Sequence, residues 1–510
     1  MLSQRIQRLI VELGTGLHEK EGLIRLTLLA AVAEQNVFLF GPPGVAKSML
    51  ARRIAAAFRD SRSFEYLLGR FTTPEEIFGP VSITSMKDAD KFERVIEGFL
   101  PDAHIVFLDE IWNASSPILN SLLTAINEHR FRNGSEEIVI PLRTVIAASG
   151  TPAPDDAALE NLWDRFLLRL PVKPVTSREA FRNLIAQTDD ENDDPVTAAD
   201  KITMDELDEW HDKISAVTIP DEIEELIYDV RERINRHNSM TREDESTEIV
   251  VSDRRWKQAS RLLRASAFLN DRSAVDAIDC LLLQHCLWSK EDEQETIRTV
   301  VAEAIRRFFS SGLFDPQVLR EELQKLLVDA DRSRSTPRTD RIDAPVPYRG
   351  EYYRVTDFVD DHLSLIWIGD FQNLRDDESQ ETDLFFYGEE DEYAYSDRFQ
   401  IRRAGPGSIE IDGVTFDLEH ETITKTIRDH RTLTDAEKMD LRNKLVTFLE
   451  RVCEIEDRAI QYRDSSSGEA LHHLFVHRSH AEFVVRSLDA VAAELSLIKA
   501  DVDEAIAELG

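Results

Sequence analysis

The stretch Gly41-Pro42-Pro43-Gly44-Val45-Ala46-Lys47-Ser48 follows directly on the apolar residues Val37 to Phe40. After it comes Met49-Leu-Ala-Arg-Arg-Ile-Ala-Ala-Ala-Phe58, an Ala-rich helical pattern. A strand, a Gly-rich turn and then Lys-Ser at a helix start form the arrangement that cradles phosphates. Backbone N–H groups and the helix N-terminus face the anion, Lys47 supplies a point charge, and the Ser48 hydroxyl is placed to ligate Mg²⁺. Further along, Ile105-Val-Phe-Leu-Asp109-Glu110 reads as a buried strand that ends in two carboxylates. Asp109 suits a water-mediated Mg²⁺ contact, and Glu110 suits the orientation and deprotonation of a water. The loop departs from the usual pattern at one place. Ala46 stands where a glycine ordinarily precedes the lysine, the smallest change that adds a Cβ.

Composition narrows the class. The 510 residues are 42% apolar and 31% charged, as in a soluble globular protein of several domains. The apolar run Leu28 to Ala33 is too short to span a bilayer, and the start Met1-Leu-Ser-Gln-Arg5 has no secretory pattern. Cys280, Cys286 and Cys453 have no metal spacing, so a reducing, cytoplasmic setting is the expectation. A net charge of −36 argues against nucleic acid as the main partner, because such sites need clustered Lys and Arg. The acidity fits either solubility in a salt-rich setting or an acidic docking surface for a basic partner.

Helical spacing runs through residues 3–35, with Gly14-Thr-Gly16 as a break. From 37 to 172, apolar runs at 37–40, 64–68, 105–108, 144–148 and 167–172 alternate with helical patterns, which predicts a parallel sheet flanked by helices. Phe78 to Thr84 with Lys91 to Gly98 reads as a small hairpin or loop. Arg130 to Ile140 reads as a hairpin turning at Asn133-Gly134. Thr188 to Pro195 is an acidic loop and a subdomain boundary. Residues 203–288 are helical, with Ser252 a cap, and 293–330 continue as helix. Asp331 to Gly350 reads as a linker, 346–425 as β-rich with an Asp412-Gly413 hairpin turn, and 434–509 as two long helices split near Ser465 to Gly468.

In this order, the phosphate loop, the Asp-Glu strand, the hairpin and the helical lid resemble the AAA+ ATPases of the MoxR branch. Within that branch the chain looks like the regulatory ATPase variant A (RavA) group. The likeness is carried by the loop itself, by Arg70-Phe-Thr-Thr-Pro-Glu-Glu-Ile-Phe-Gly-Pro80, Phe107-Leu-Asp-Glu-Ile-Trp112 and Leu122-Leu-Thr-Ala-Ile-Asn-Glu128, and by Phe131-Arg-Asn-Gly134 and Ser252-Asp-Arg-Arg-Trp-Lys257. It covers residues 1–290; beyond them only the layout is similar. The resemblance implies an α/β P-loop NTPase (AAA+) fold with a helical lid, followed by a helical domain carrying a small β-rich insert. The expected bounds are 1–190 for the nucleotide-binding subdomain and 195–290 for the lid. The discontinuous helical domain is expected over 291–335 and 430–510, and the insert over 346–425.

The same resemblance assigns roles. Gly41, Gly44, Val45, Ala46, Lys47, Ser48 and Met49 would contact ATP or ADP, and Ser48 and Asp109 would hold Mg²⁺. Asp109 and Glu110 would be catalytic. Arg165 would reach the γ-phosphate held by a neighbouring subunit, with Arg169 a second candidate. Arg254 would sense nucleotide from the lid, and His18 would contact adenine. Where the family places an Asn that orients water, this chain has Gly150, so either Ser149 or Thr151 substitutes or turnover is slow. Implied partners are the chain itself in a hexamer, a von Willebrand factor A (vWA) domain protein and, in some organisms, an inducible lysine decarboxylase. His473, His477 and His480 would share one helix face but lack a carboxylate or Cys that completes a metal motif. The acidic run 376–397 lacks an EF-hand pattern. The leading reading is a ring-forming ATPase that remodels or matures protein partners. The second is a nucleotide-gated scaffold with vestigial hydrolysis.

Overall fold

The computed structural model describes residues 1–83, 86–87, 92–152, 157–187, 195–240, 248–332, 335–359, 362–388, 393–430 and 434–509. They divide into two compact units. One comprises Met1–Ile305 with Glu469–Glu482, and the other Arg306–Gly468 with Phe483–Gly510.

The first unit is built on five parallel strands: β1 (Asn36–Phe40), β2 (Ser63–Leu67), β3 (Ile105–Asp109), β4 (Thr144–Ser149) and β5 (Phe166–Pro171), in the order β2-β3-β4-β1-β5. β4 is buried throughout, and β1, β3 and β5 nearly so, which is why they read as continuous apolar runs rather than as alternation. β1 lies between β4 and β5, yet the chain goes next to β2 on the far edge. The C-terminal ends of the central strands are where such sheets open a crevice for ligands. Helices α1 (Leu2–Leu13) and α2 (Glu21–Val32) precede the sheet, separated at the predicted break. α1 buries Ile6, Leu9, Ile10 and Leu13 along one stripe, whereas α2 is buried from Leu26 to Val32. α3 (Lys47–Ala56) follows the phosphate loop.

Two excursions leave this core. Val81 bridges Arg94 antiparallel, a hairpin-like pairing; residues 84–85 and 88–91 of the predicted hairpin lie outside the described residues. The hairpin Arg130–Asn133/Glu136–Val139 forms as expected, but the turn residues are Gly134 and Ser135, because Asn133 pairs with Glu136 across the ladder. The Asn133 side chain serves the neighbouring excursion instead. It accepts from the Arg94 N–H at 2.6 Å and donates to the Arg94 carbonyl at 3.1 Å. The lid contains Met204–Ala216, Asp221–Met240 and α4 (Asp253–Leu269). Thr203 and Glu206 form a capping box on the first, and Ser252 caps α4 through the Arg255 N–H. Most of the acidic boundary, residues 188–194, lies outside the described residues.

The second unit holds a seven-stranded antiparallel sheet that runs in chain order from Pro347–Tyr348 to Val414–Asp417, over a core including Ile366, Leu384, Phe386 and Ile401. Asp412 and Gly413 both have positive φ in the last hairpin, as an Asp-Gly turn requires. The acidic run contributes the strand Gln380–Tyr387 and the start of Tyr393–Gly405; residues 389–392 lie outside the described residues.

Three expectations need correction. Residues Ser335–Pro345 are not linker but a strand paired antiparallel with His420–His430. The helix over 293–330 breaks between Arg307 and Pro316, where a π-helical turn at Phe308–Leu313 intervenes. The first C-terminal helix runs Asp435–His472 and the second Arg478–Ala507, so Ser465 to Gly468 stay helical and the break falls at 473–477. Consequently His473 and His477 sit in the connection, not on a helix face. His473 is buried against Asp279, and among the described residues no cluster has metal-binding geometry. Nor is any described helix long and apolar enough to cross a membrane.

Candidate active site

The phosphate loop is fixed from both sides as it leaves the sheet. The Gly41 N–H donates to the Ser149 carbonyl at the end of β4 (3.2 Å), and the Phe40 carbonyl accepts from the Val172 N–H just past β5 (2.7 Å). Gly41 has φ +154°, and a Cβ there would stand 2.2 Å from the Val172 carbonyl oxygen. Only glycine lets the loop pass so close to that strand exit. Gly44 and Ala46 are left-handed, at φ +80° and +70°. For an L-residue that conformation costs about 1–2 kcal/mol. Ala46 thus adopts the backbone that the usual glycine would, at a cost held by the surrounding loop.

Lys47 opens α3 and is buried. Its ammonium donates to the carbonyls of Gly41 (2.6 Å) and Pro42 (3.1 Å) and so spans the loop. Next to it the Ser48 hydroxyl donates to Asp109 Oδ2 at 3.0 Å, and the Glu110 N–H donates to Asp109 Oδ1 at 3.0 Å. The Asp109 carboxylate therefore ties the start of α3 to the end of β3. Two hard oxygen donors face each other beside a phosphate-type loop, a set that fits Mg²⁺. Glu110 is half-buried, with a left-handed backbone at φ +51°. Ser149 is buried, whereas Gly150 and Thr151 are exposed, and a Cβ on Gly150 would meet no atom within 4 Å.

His18 lies in the turn between α1 and α2, half-exposed. That turn is bound to the segment leaving β5. Lys20 Nζ donates to the Lys173 carbonyl at 2.7 Å, and the Glu19 carboxylate accepts from the N–H groups of Thr176 and Ser177. The Ser177 hydroxyl and then these N–H groups pull the Glu19 carboxyl down to about 2. Because Val172 abuts Gly41, the His18 turn and the phosphate loop share one short segment of chain as their common support.

The arginines separate sharply. Arg165 is largely covered, 3.8 Å from Asp164, and its Nε has no hydrogen-bond partner among the described residues. Arg169 is excluded from contact with another subunit. It is 1% exposed, lies over the Trp163 ring at 4.4 Å, and donates to the carbonyls of Trp163 and Trp288. Burial, followed by the nearby Arg255, holds it well below the usual guanidinium range, while Asp164 offsets part of that. Arg254 is exposed in the first turn of α4 and donates to Asn127 Oδ1 at 3.3 Å. Its neighbour Arg255 points the other way, buried, with Asp164 at 2.8 Å and the Ser289 hydroxyl at 2.8 Å. Sequence reasoning missed this Asp164–Arg255–Arg169 group, which joins the end of β5 to the lid. The one available signal was the adjacent pair Arg254-Arg255, since neighbours on a helix cannot face the same way.

Comparisons with known proteins agree with this geometry. Residues 4–212 match the model of the MoxR domain in the MoxR-vWA-beta-propeller ternary systems, and residues 222–301 match an AAA lid domain. The uncharacterized protein MJ0079 of Methanocaldococcus jannaschii is 32% identical over 319 residues, 62% of this chain and 79% of that protein. A second uncharacterized protein of the same organism, MJ0812, is 32% identical over 327 residues, 64% of this chain and 83% of its own length. A crystal structure from Cytophaga hutchinsonii, of a chain described provisionally as an ATPase, aligns with 60% of this chain and 94% of its own. At 18% identity and a TM-score of 0.49, that likeness is too loose to carry an argument. With an α/β core, a phosphate loop, an Asp-Glu strand end and a helical lid in place, the chain belongs to the MoxR-type AAA+ ATPases.

Proposed function

We propose that this chain hydrolyses ATP in a ring of identical subunits and uses the cycle to remodel or mature protein partners, a vWA-domain protein among them. The observation that carries the reading is the Ser48 hydroxyl already paired with Asp109 at 3.0 Å beside a loop whose Gly41 has no room for a side chain. The vWA partner is supported by the description of the matching MoxR domain, and a hexamer is what the resemblance to the RavA group implies.

In this reading the backbone N–H groups of residues 44–48 take the phosphates, and Lys47 exchanges its two loop carbonyls for phosphate oxygens. Ser48 and Asp109 would hold Mg²⁺, which would supply charge neutralisation at the phosphates. Glu110 orients the attacking water and accepts its proton. Arg165 from the adjacent subunit stabilises the charge that develops on the transferred group. Arg254 registers the nucleotide from the lid, and His18 meets the base.

A mixing experiment tests the ring. Arg165→Ala should bind ATP without hydrolysing it, and Lys47→Ala should bind none. Co-assembled, the two should regain activity at interfaces that pair an intact loop with an intact Arg165. No recovery in proven mixed rings would remove Arg165 from the interface role. The scaffold reading retains one supporting observation: Gly150 offers no side chain to orient water at the end of β4.

A further inference from the structure

A cavity of about 980 Å³ lies inside the first unit, and none of residues 41–48, 109 or 110 lines it. Its walls are α1, the first turn of α2, residues 282–285 and the segment 472–480. Among the described residues, Arg8, Arg25 and Arg478 line it beside a single carboxylate, Glu21. In a chain of net charge −36, three guanidiniums around one acid run against the composition.

Two of these arginines are engaged by carboxylates outside the lining, Arg8 by Asp200 at 2.7 Å and Arg478 by Glu482 at 2.9 Å. Arg25 differs. It donates to the Leu474 carbonyl at 2.6 Å and more loosely to Gln7, and among the described residues no carboxylate hydrogen-bonds to it. The positive end of α2, whose first turn holds Gly22, borders the same space. The imidazoles agree in sign: after burial, the neighbouring His477 and Arg298 push His480 below its usual value. The volume accommodates a molecule of nucleotide size.

We propose that this cavity is a second anion site, separate from the phosphate loop, for a small ligand with clustered phosphoryl groups. Planar guanidiniums are the side chains best matched to phosphate oxygens, and among the described residues Arg25 is the one of the three with no hydrogen bond to a carboxylate, Glu21 one turn before it acting only through its charge. The ligand is either a free oligophosphate or a nucleoside polyphosphate.

Titration calorimetry on the full chain carrying Lys47→Ala, which silences the phosphate loop, tests the site with inorganic tripolyphosphate and GDP in parallel. Both should bind. A tighter fit for GDP assigns the ligand to nucleotides, and a tighter fit for tripolyphosphate assigns it to free oligophosphate. Gly22→Asp adds a carboxylate at a position where a Cβ meets nothing within 4 Å, and an acid in a first helical turn favours the helix, so folding should be unharmed. Gly22→Asp and Arg25→Gln should each weaken binding about tenfold or more, with the unfolding midpoint of Gly22→Asp unchanged. Absence of binding to Lys47→Ala protein, or binding that survives both added substitutions, would overturn the proposal.

Discussion

Replacing Asp279 by Asn should destabilise the first unit by about 3–5 kcal/mol, the cost of breaking a buried ion pair from one side. Asp279 is completely buried and accepts from five donors: Ser266 Oγ (2.6 Å), Arg272 Nη1 (2.7 Å) and Nη2 (2.9 Å), the Asp276 N–H (3.0 Å) and His473 Nε2 (3.1 Å). The tautomer of His473 follows from its other nitrogen. Nδ1 accepts from the N–H groups of Phe475 and Val476, so Nε2 carries the proton. An amide at 279 would lose the charge that Arg272 faces and turn an NH₂ group toward one of these donors. Arg272 leads in holding the Asp279 carboxyl far below the usual carboxylate range, against the effect of burial. A depressed folded value contributes stability above the unfolded value of about 3.9 and loses it as pH falls through the folded one. The penalty of Asp279→Asn should therefore be constant between pH 5 and pH 8 and shrink only in stronger acid. Urea titration followed by hydrogen exchange reads both consequences, because the amides of residues 474–476 should lose protection together. Unchanged stability with unchanged protection of those amides would refute the argument.

Two further substitutions test the phosphate loop and its surroundings. Gly150→Asn has room for its side chain. If a water-orienting donor is missing at this place, turnover should rise by roughly 10²-fold at constant ATP affinity, whereas a fast enzyme indifferent to the change would show that another group does the task. Ala46→Gly relieves a left-handed alanine at about 1–2 kcal/mol and adds unfolded-chain freedom at about 0.5–1 kcal/mol. The unfolding midpoint should rise by about 1–3 °C, and a fall would mean that the Ala46 methyl makes a contact worth more than the strain.

Four of the five core strands, β1, β3, β4 and β5, were legible because each is buried on both faces, so an unbroken apolar run could mean little else, whereas the edge strand β2 is largely exposed. The phosphate loop was legible for a different reason: its glycines and Lys-Ser mark backbone conformation and charge together. What the sequence hid depends on partners distant in the chain. Ser335 to Pro345 carries Arg, Thr and Asp where strands usually carry apolar residues, and it is a strand by virtue of its pairing with His420–His430. Ser465 to Gly468 look like a break, yet weak helix formers cost only about 0.5–1 kcal/mol each, and the helix ends where residues 473–476 meet Asp279 and Asn270. Arg169 resembled a second arginine for the neighbouring subunit, and only its place inside β5, beneath Trp163, shows it to be a core residue. His473 illustrates the same point, since its partner Asp279 is 194 positions away.

The most direct test of the central claim is phosphate release by Glu110→Gln beside the unaltered chain, with ATP affinity measured on both. If Glu110 accepts the proton of the attacking water, the variant should keep its ATP affinity within about threefold while turnover falls by roughly 10²-fold or more, within the range of general-base catalysis. Equal turnover in the two proteins at equal ATP affinity would contradict the account, because the chemistry would then lie elsewhere than at the end of β3.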